Sequence, residues 1–281
     1  MKDVIIDTLL DVVKLLPFLF FAFLIIELME HKFSKKTKQF ISKSGRLGPL
    51  FGSFLGLFPQ CGFSVMATNL YTTRIITIGT LIAIYLSTSD EMLPVMLSNN
   101  VDLVTILKLL GIKFLVGIIF GFLIDFILSK KNSEKRLDYH LCEEDECHCS
   151  DGVFLSALKH TFNTALFIML ATFALNSLIY YLGEDNISNM FFKNSIFAPF
   201  IASLLGLIPN CASSVIITQL YLSNVISLGT TIAGLLTGSG VAILVLFKSN
   251  KNIKENLFIL LTVYGIGALV GVAIEVLQLL V

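Results

Sequence analysis

The sequence predicts an all-α polytopic membrane protein made of two inverted-topology repeats, each with a re-entrant or broken helical hairpin. Three observations predict it. The chain has 281 residues, 55% hydrophobic and only 14% charged, against about 25% charged in soluble domains, and its mean hydropathy is +0.85. Its central stretch, Gly56-Leu57-Phe58-Pro59-Gln60-Cys61-Gly62-Phe63-Ser64, returns 150 residues later as Gly206-Leu207-Ile208-Pro209-Asn210-Cys211-Ala212-Ser213-Ser214. The loop charges then reverse sign between the two halves, which reverses their orientation across a bilayer.

The duplication extends beyond the motif. Between Pro49/Pro199 and Ser89/Ser239, 19 of 41 aligned positions are identical without a gap. Chance does not produce that agreement, so a repeat architecture follows. The formal net charge is zero, which gives no case for a nucleic-acid partner. The apolar excess, spread over most of the length, makes the lipid bilayer the chain's solvent.

Taken in order, residues 4–30 are long enough to span as a helix. Asp7, Asp11 and Lys14 within them, and the lack of a small-residue cleavage site, argue against a signal peptide. Residues 47–72 hold the first motif, with an apolar arm on each side of Pro59–Gly62 that is too short to cross the ~30 Å core alone. A re-entrant hairpin is expected there. Residues 75–98 read as a helix interrupted at Ser87–Glu91, and 104–128 as a spanning helix. The second half repeats the plan: 153–182 span, 197–222 form the hairpin, 225–247 the interrupted helix and 256–280 the last span. This counts three crossings and one hairpin per half, and ten shorter segments would preserve the inversion. The expected units are therefore 1–128, a first transmembrane repeat; 129–151, a hydrophilic linker; and 152–281, the second, inverted repeat.

The last helices also match, Gly117-x3-Gly121-x3-Asp125 against Gly267-x3-Gly271-x3-Glu275. Glycines four apart allow close helix approach. Asp125 and Glu275 lie near helix ends, which suits an interfacial role better than proton coupling.

Orientation follows from the loops. Residues 31–46 carry Lys32, Lys35, Lys36, Lys38, Lys43 and Arg46, while their counterpart 183–195 has only Lys193 against Glu184 and Asp185. The 98–103 loop has Asp102 and no base, whereas 248–255 has Lys248, Lys251 and Lys254. The positive-inside rule puts 31–46, the central linker and 248–255 in the cytoplasm, and the protein in the cytoplasmic membrane.

Hairpins dipping in from opposite faces would bring Pro59–Ser64 and Pro209–Ser214 together near the midplane, where unwound backbone is tolerated only if it is buried or lines a wet cavity. The second arm of each hairpin points a helix N-terminus at that cavity, which favours anions or polar oxygens. The first arm offers carbonyls, which favour cations, so hairpin geometry leaves the sign of the ligand open. Cys61 and Cys211 add soft thiols, suited to soft or borderline metals and trivalent arsenic. Ser64, Thr68 and Asn69, with Ser214, Thr218 and Gln219, add oxygen and amide groups one or two turns on; the bland reading makes the small ones packing residues. Asp90, beside Glu91 in the interruption, is a costly intramembrane carboxylate if it lies at depth, and would favour a divalent cation. Asp11 aligns with His160 at a spacing of 149, and both are candidates for proton coupling. The alternative pairs Asp11 with Lys14 one turn on and sets His160 near the interface.

The linker reads His140-Leu141-Cys142-Glu143-Glu144-Asp145-Glu146-Cys147-His148-Cys149. His140, Cys142, Cys147, His148 and Cys149 would bind a metal on the cytoplasmic side, where thiols stay reduced. A metal receiver on that face fits export, or else sensing; a disordered acidic tether is the plain alternative.

The duplicated Gly-Leu-x-Pro-x-Cys motif, the inverted halves and the Cys/His-rich central loop resemble the ten-segment heavy-metal exporters. That family is related to arsenic permeases and is variously labelled as arsenic efflux proteins or manganese transporters. The resemblance covers nearly the whole chain and implies efflux of a metal or metalloid. The related permeases carry more cysteine at the motif than the one per half found here. This weakens trithiol capture of arsenite and leaves manganese or another divalent ion open, with Asp90 and Glu91 in support. No Walker motif is present, so a gradient would drive transport. No resident cofactor is expected, the metal being cargo or regulator, and a homodimer stays open. A small organic or oxyanion substrate at the hairpin N-termini is the alternative. A lipid pyrophosphate phosphatase, which also combines inverted repeats with hairpins, is disfavoured because neither hairpin tip carries Arg or Glu. The protein is expected not to be an enzyme.

Overall fold

The computed structural model describes residues 12, 13, 16, 17, 20, 21, 23, 24, 47–58, 61–89, 91–132, 153–182 and 197–280. All the regular structure among them is helical: α1 (Gly48–Gly56), α2 (Cys61–Thr72), α3 (Ile78–Ser87), α4 (Met92–Ser98), α5 (Leu103–Asn132), α6 (Val153–Leu182), α7 (Ala198–Gly206), α8 (Cys211–Leu222), α9 (Leu228–Thr237), α10 (Ala242–Ser249) and α11 (Ile253–Leu280). The expected interruptions fall between α1 and α2, α3 and α4, α7 and α8, and α9 and α10.

Local chemistry sets these bounds. Pro49 and Pro199 sit in the first turns of α1 and α7, where a missing N–H costs nothing. Thr77 and Ser227 cap α3 and α9 by accepting from the N–H groups of Thr80 and Thr230. The α2 helix ends where Arg74 turns left-handed at φ 60° and the Ile75 N–H reaches back to the Leu70 carbonyl; Asn224 at φ 54° ends α8 the same way, through Val225 and Leu220.

Packing is organised around α3 and α9. The former lies against α1 and α5, the latter against α7 and α11, and the two touch each other. Further contacts cross between the halves, with α2 against α10 and α4 against α8. Glycines permit the closest approaches. A Cβ on Gly271 would come within 2.4 Å of the Ala233 Cβ, and one on Gly121 within 2.8 Å of the Ala83 Cβ, so no larger residue fits there without displacing its neighbour.

The outside is apolar and the inside holds polar groups. Leu107, Leu115, Ile119, Leu123 and Phe126 on α5, and Leu257, Leu261, Leu269 and Leu277 on α11, are exposed. A belt of that extent is a lipid-facing surface, not a soluble one. Three stretches among the described residues are long and apolar enough to cross a membrane: Leu103–Leu128, Leu228–Ser249 and Ile253–Leu277. The middle one, broken at 238–241, is buried along most of its length. The chain is a multi-pass helical membrane protein. The expected first span, 4–30, lies largely outside the described residues, as does the linker 129–151 apart from the end of α5.

Candidate functional site

The interruptions bring polar backbone into the core. The Ser89 N–H donates to the Gly56 carbonyl at 3.2 Å, so the end of α1 meets the break after α3. A Cβ on Gly56 would lie 2.9 Å from the Ile84 carbonyl, which is why the arm can seat there. In the second half Thr237 Oγ1 donates to the Ser203 carbonyl at 2.9 Å, fixing α7 against the end of α9.

One side chain joins the two breaks. Lys113, on α5, is 1% exposed, and its ammonium donates to the carbonyl of Thr88, in the first break, and at 2.9 Å to that of Leu235, in the last turn of α9. The Leu235 carbonyl is available because α9 ends early: the Ser239 N–H turns to the Thr237 carbonyl instead. Lys113 is ten residues into α5, about 15 Å along it at 1.5 Å per residue, half-way through a ~30 Å hydrocarbon core. A lysine at that depth costs about 3 kcal/mol on insertion scales, and orphan helix-end carbonyls offset the cost by accepting its protons. Ser239, in the second break, is fully buried and its Oγ has no hydrogen-bond partner among the described residues.

Polar residues of α2 and α8 are buried as well. Ser64 and Thr68 are fully buried, and Thr68 Oγ1 donates to the Ser64 carbonyl at 2.8 Å. Thr218 Oγ1 does the same to the Ser214 carbonyl at 2.7 Å, with both residues buried. Thr68 has given its proton away, so the Tyr85 hydroxyl, 2.6 Å off, is the donor between them; the Ala242 carbonyl lies 3.4 Å from the same hydroxyl. Tyr85 thereby ties α3 to α2, close to the start of α10. Asn69 is 2% exposed and its Nδ2 has no acceptor among the described residues. Gln219 is exposed, apart from the buried set.

The backbones of Cys61 and Cys211 open α2 and α8, but their side chains lie outside the described residues. So do Asp11, Asp90, the side chain of His160, and the linker residues His140, Cys142, Cys147, His148 and Cys149. Among the described residues no three of His, Cys, Asp and Glu gather as a ligand set. Asp125 accepts from Thr77 Oγ1 at 2.6 Å and from the Gly79 N–H at 3.0 Å, and Glu275 accepts from Ser227 Oγ. These carboxylates sit at the N-termini of α3 and α9, where the helix dipole favours negative charge.

A second cluster lies where the chain leaves the core. Arg74, in the turn after α2, makes a two-pronged pair with Glu255 on α11, Nη1 to Oε1 at 2.5 Å and Nη2 to Oε2 at 3.0 Å. The Tyr71 hydroxyl donates to the same Oε1. The bond to Glu255 holds the guanidinium firmly protonated, above its ordinary value.

Sequence reasoning passed over Lys113 and the Arg74–Glu255 pair. A signal for the first was present: Lys108 and Lys113 both stand inside a 26-residue apolar span, and an ionisable residue within a span marks a site by default.

Among known proteins, the chain matches one family, described as "Putative, 10TM heavy-metal exporter", over residues 1–172 and again over 150–279. No curated protein and no solved structure matches it. The two matched regions together take in nearly the entire sequence, and the chain belongs to this family of ten-segment membrane transporters of heavy metals.

Proposed function

We propose that the protein exports a metal cation, manganese or another divalent ion, with arsenite the alternative cargo, by alternating access around the region where the helix breaks meet. The observation that carries this reading is the convergence of the Thr88 and Leu235 carbonyls, one from each half, on a single positive charge. Two helix C-terminal ends aimed at one point favour a cation. Asp90 and Glu91 stand in the same break in sequence, and Cys61 with Cys211 would supply soft ligands at the hairpin tips.

The inverted architecture is part of the proposal. The paired helices are of equal length, nine residues for α1 and α7, twelve for α2 and α8, ten for α3 and α9. The arm α2 packs on α10 and the arm α8 on α4, a reciprocal exchange that a two-fold axis in the membrane plane would generate. At 1.5 Å per residue α1 is about 14 Å long and α2 about 18 Å, each short of the ~30 Å core. The Arg74–Glu255 pair supports re-entrance: the turn after α2 lies beside the start of α11, on the face the basic residues assign to the cytoplasm, from which α1 also enters. Counting each arm, five segments per half make ten. The linker residues His140, Cys142, Cys147, His148 and Cys149 would receive the metal on that face, and Asp11 or His160 would carry protons against it.

An oxyanion at the N-termini of α2 and α8 is the second reading, favoured by one observation: the buried Asn69 amide, a donor without an acceptor among the described residues. Purified protein in liposomes separates the two. Saturable flux of Mn²⁺ or Cd²⁺ supports the exporter; flux of an oxyanion without any metal flux supports the alternative.

A further inference from the structure

We infer that Lys113 is a tethered cation that occupies the metal's own position at the helix breaks, so that cargo and ammonium exclude one another there. The inference rests on the cation-export reading and names the residue that sets cargo affinity and release.

The geometry supplies the first argument. The Nζ atom is held by Thr88 O and Leu235 O, the carbonyls to which the preceding section assigns the cargo. A divalent ion coordinated by those oxygens would lie within a few ångströms of the ammonium, in a medium that screens poorly. Like charges so placed repel strongly, and the two oxygens cannot serve both at full strength.

The second argument is that the position is not matched between the halves. Offset by 150, Lys113 corresponds to Val263 on α11, which is buried. At the break between α9 and α10, Thr237 Oγ1 reaches the carbonyls of Ser203 and Gly234, the Ser239 N–H reaches Thr237, and the Leu235 carbonyl takes its donor from Lys113 in the other half. One ammonium, from the first half, therefore serves the helix ends of both halves, and a cargo ion at either end meets the same charge.

The third is the choice of side chain. A lysine is a compact charge on a flexible four-carbon stem, able to withdraw when the metal arrives and return when it leaves. Return of the ammonium would expel bound metal and prevent the site from standing empty of positive charge. Ser239 Oγ, buried in the neighbouring break without a partner among the described residues, is an oxygen that a second occupant could use.

The test is a titration of full-length protein in detergent with Mn²⁺, and separately Cd²⁺, by calorimetry. The background carries alanine at His140, Cys142, Cys147, His148 and Cys149, so that only the membrane site is read. Lys113→Gln keeps two N–H donors for the carbonyls but removes the charge; Lys113→Met removes both; Lys113→Arg keeps the charge. The inference expects Lys113→Gln to bind metal about ten-fold tighter or more, and Lys113→Arg to bind as weakly as the parent. Lys113→Gln is the deciding variant if Lys113→Met does not fold. Parent and Lys113→Gln affinities that agree, or weaker binding by Lys113→Gln, would overturn the inference while leaving the exporter reading intact. Absence of binding in every form, with no metal flux in liposomes, would bring down the cation reading and the inference with it.

Discussion

The ammonium of Lys113 donates to the Leu235 carbonyl at 2.9 Å, across 122 positions of sequence. Through this bond α5 of the first half reaches the end of α9 in the second, and the same ammonium reaches Thr88. The core of the protein is thus closed around a fixed positive charge. A negative charge in its place would face two carbonyl oxygens in a poorly screened interior. Lys113→Glu is expected to abolish the folded form, read as loss of the monodisperse peak on gel filtration in detergent. Recovery at the parent level would contradict the placement of Lys113 at the breaks.

Tyr85 and Thr68 share a 2.6 Å hydrogen bond in a fully buried setting. A neutral bond of this kind contributes about 1 kcal/mol net, and a stranded buried partner costs more. Tyr85→Phe and Thr68→Val are each expected to destabilise the protein by about 1–2 kcal/mol, and the double variant by less than the sum, since both remove one interaction. Unfolding by denaturant in detergent measures it, and strict additivity would show that the bond does not form.

Arg74 and Glu255 are 24% and 20% exposed, and their pair is two-pronged. Partial burial reduces screening, and paired charge-assisted bonds resist salt. Arg74→Glu is expected to lower stability by roughly 1–3 kcal/mol, with part regained in Arg74→Glu/Glu255→Arg. A double-mutant cycle gives the coupling; a value near zero would remove the pair from the account.

The glycines divide into two kinds. A Cβ on Gly271 would meet Ala233 Cβ at 2.4 Å, whereas nothing lies within 4 Å of one on Gly265. Gly271→Leu is expected to prevent α11 from seating on α9. Gly265→Ala is expected to be tolerated, with a gain of up to about 1 kcal/mol from helix propensity. Thermal stability of the two variants tests the pair, and equal effects would contradict the packing described.

The helix breaks were legible because local chemistry makes them. Pro59, Pro209, Gly238 and the Ser-Thr clusters interrupt apolar runs, and the duplication marks the same places twice. The helix bounds followed within a few residues: the expected span 153–182 is α6, and the interrupted helix 75–98 became α3 and α4. Asp125 and Glu275 were read as residues near helix ends; Asp125 accepts from the first turn of α3, and Glu275 accepts from Ser227, the cap of α9. Lys113 escaped because the repeat directed attention to matched residues, and its match is Val263. Its partners are carbonyls 25 and 122 positions away, whose availability depends on where helices end in space. Nothing local ties Arg74 to Glu255, 181 positions on, so the pair could not be read from the sequence. Gln219 was grouped with Asn69 by alignment, yet Gln219 is exposed and Asn69 buried; helical register alone does not say which face meets the other half.

The most direct test of metal export is the metal content of cells, read by mass spectrometry. Cells with and without the protein would be challenged with manganese, zinc, cadmium and arsenite, alongside the Cys61→Ala/Cys211→Ala variant shown to reach the membrane. Selective depletion of one element by the parent chain, lost in the double variant, is the expected result and would identify the cargo. Equal content of all four elements with and without the protein, at verified membrane levels, would contradict export and leave the oxyanion reading in its place.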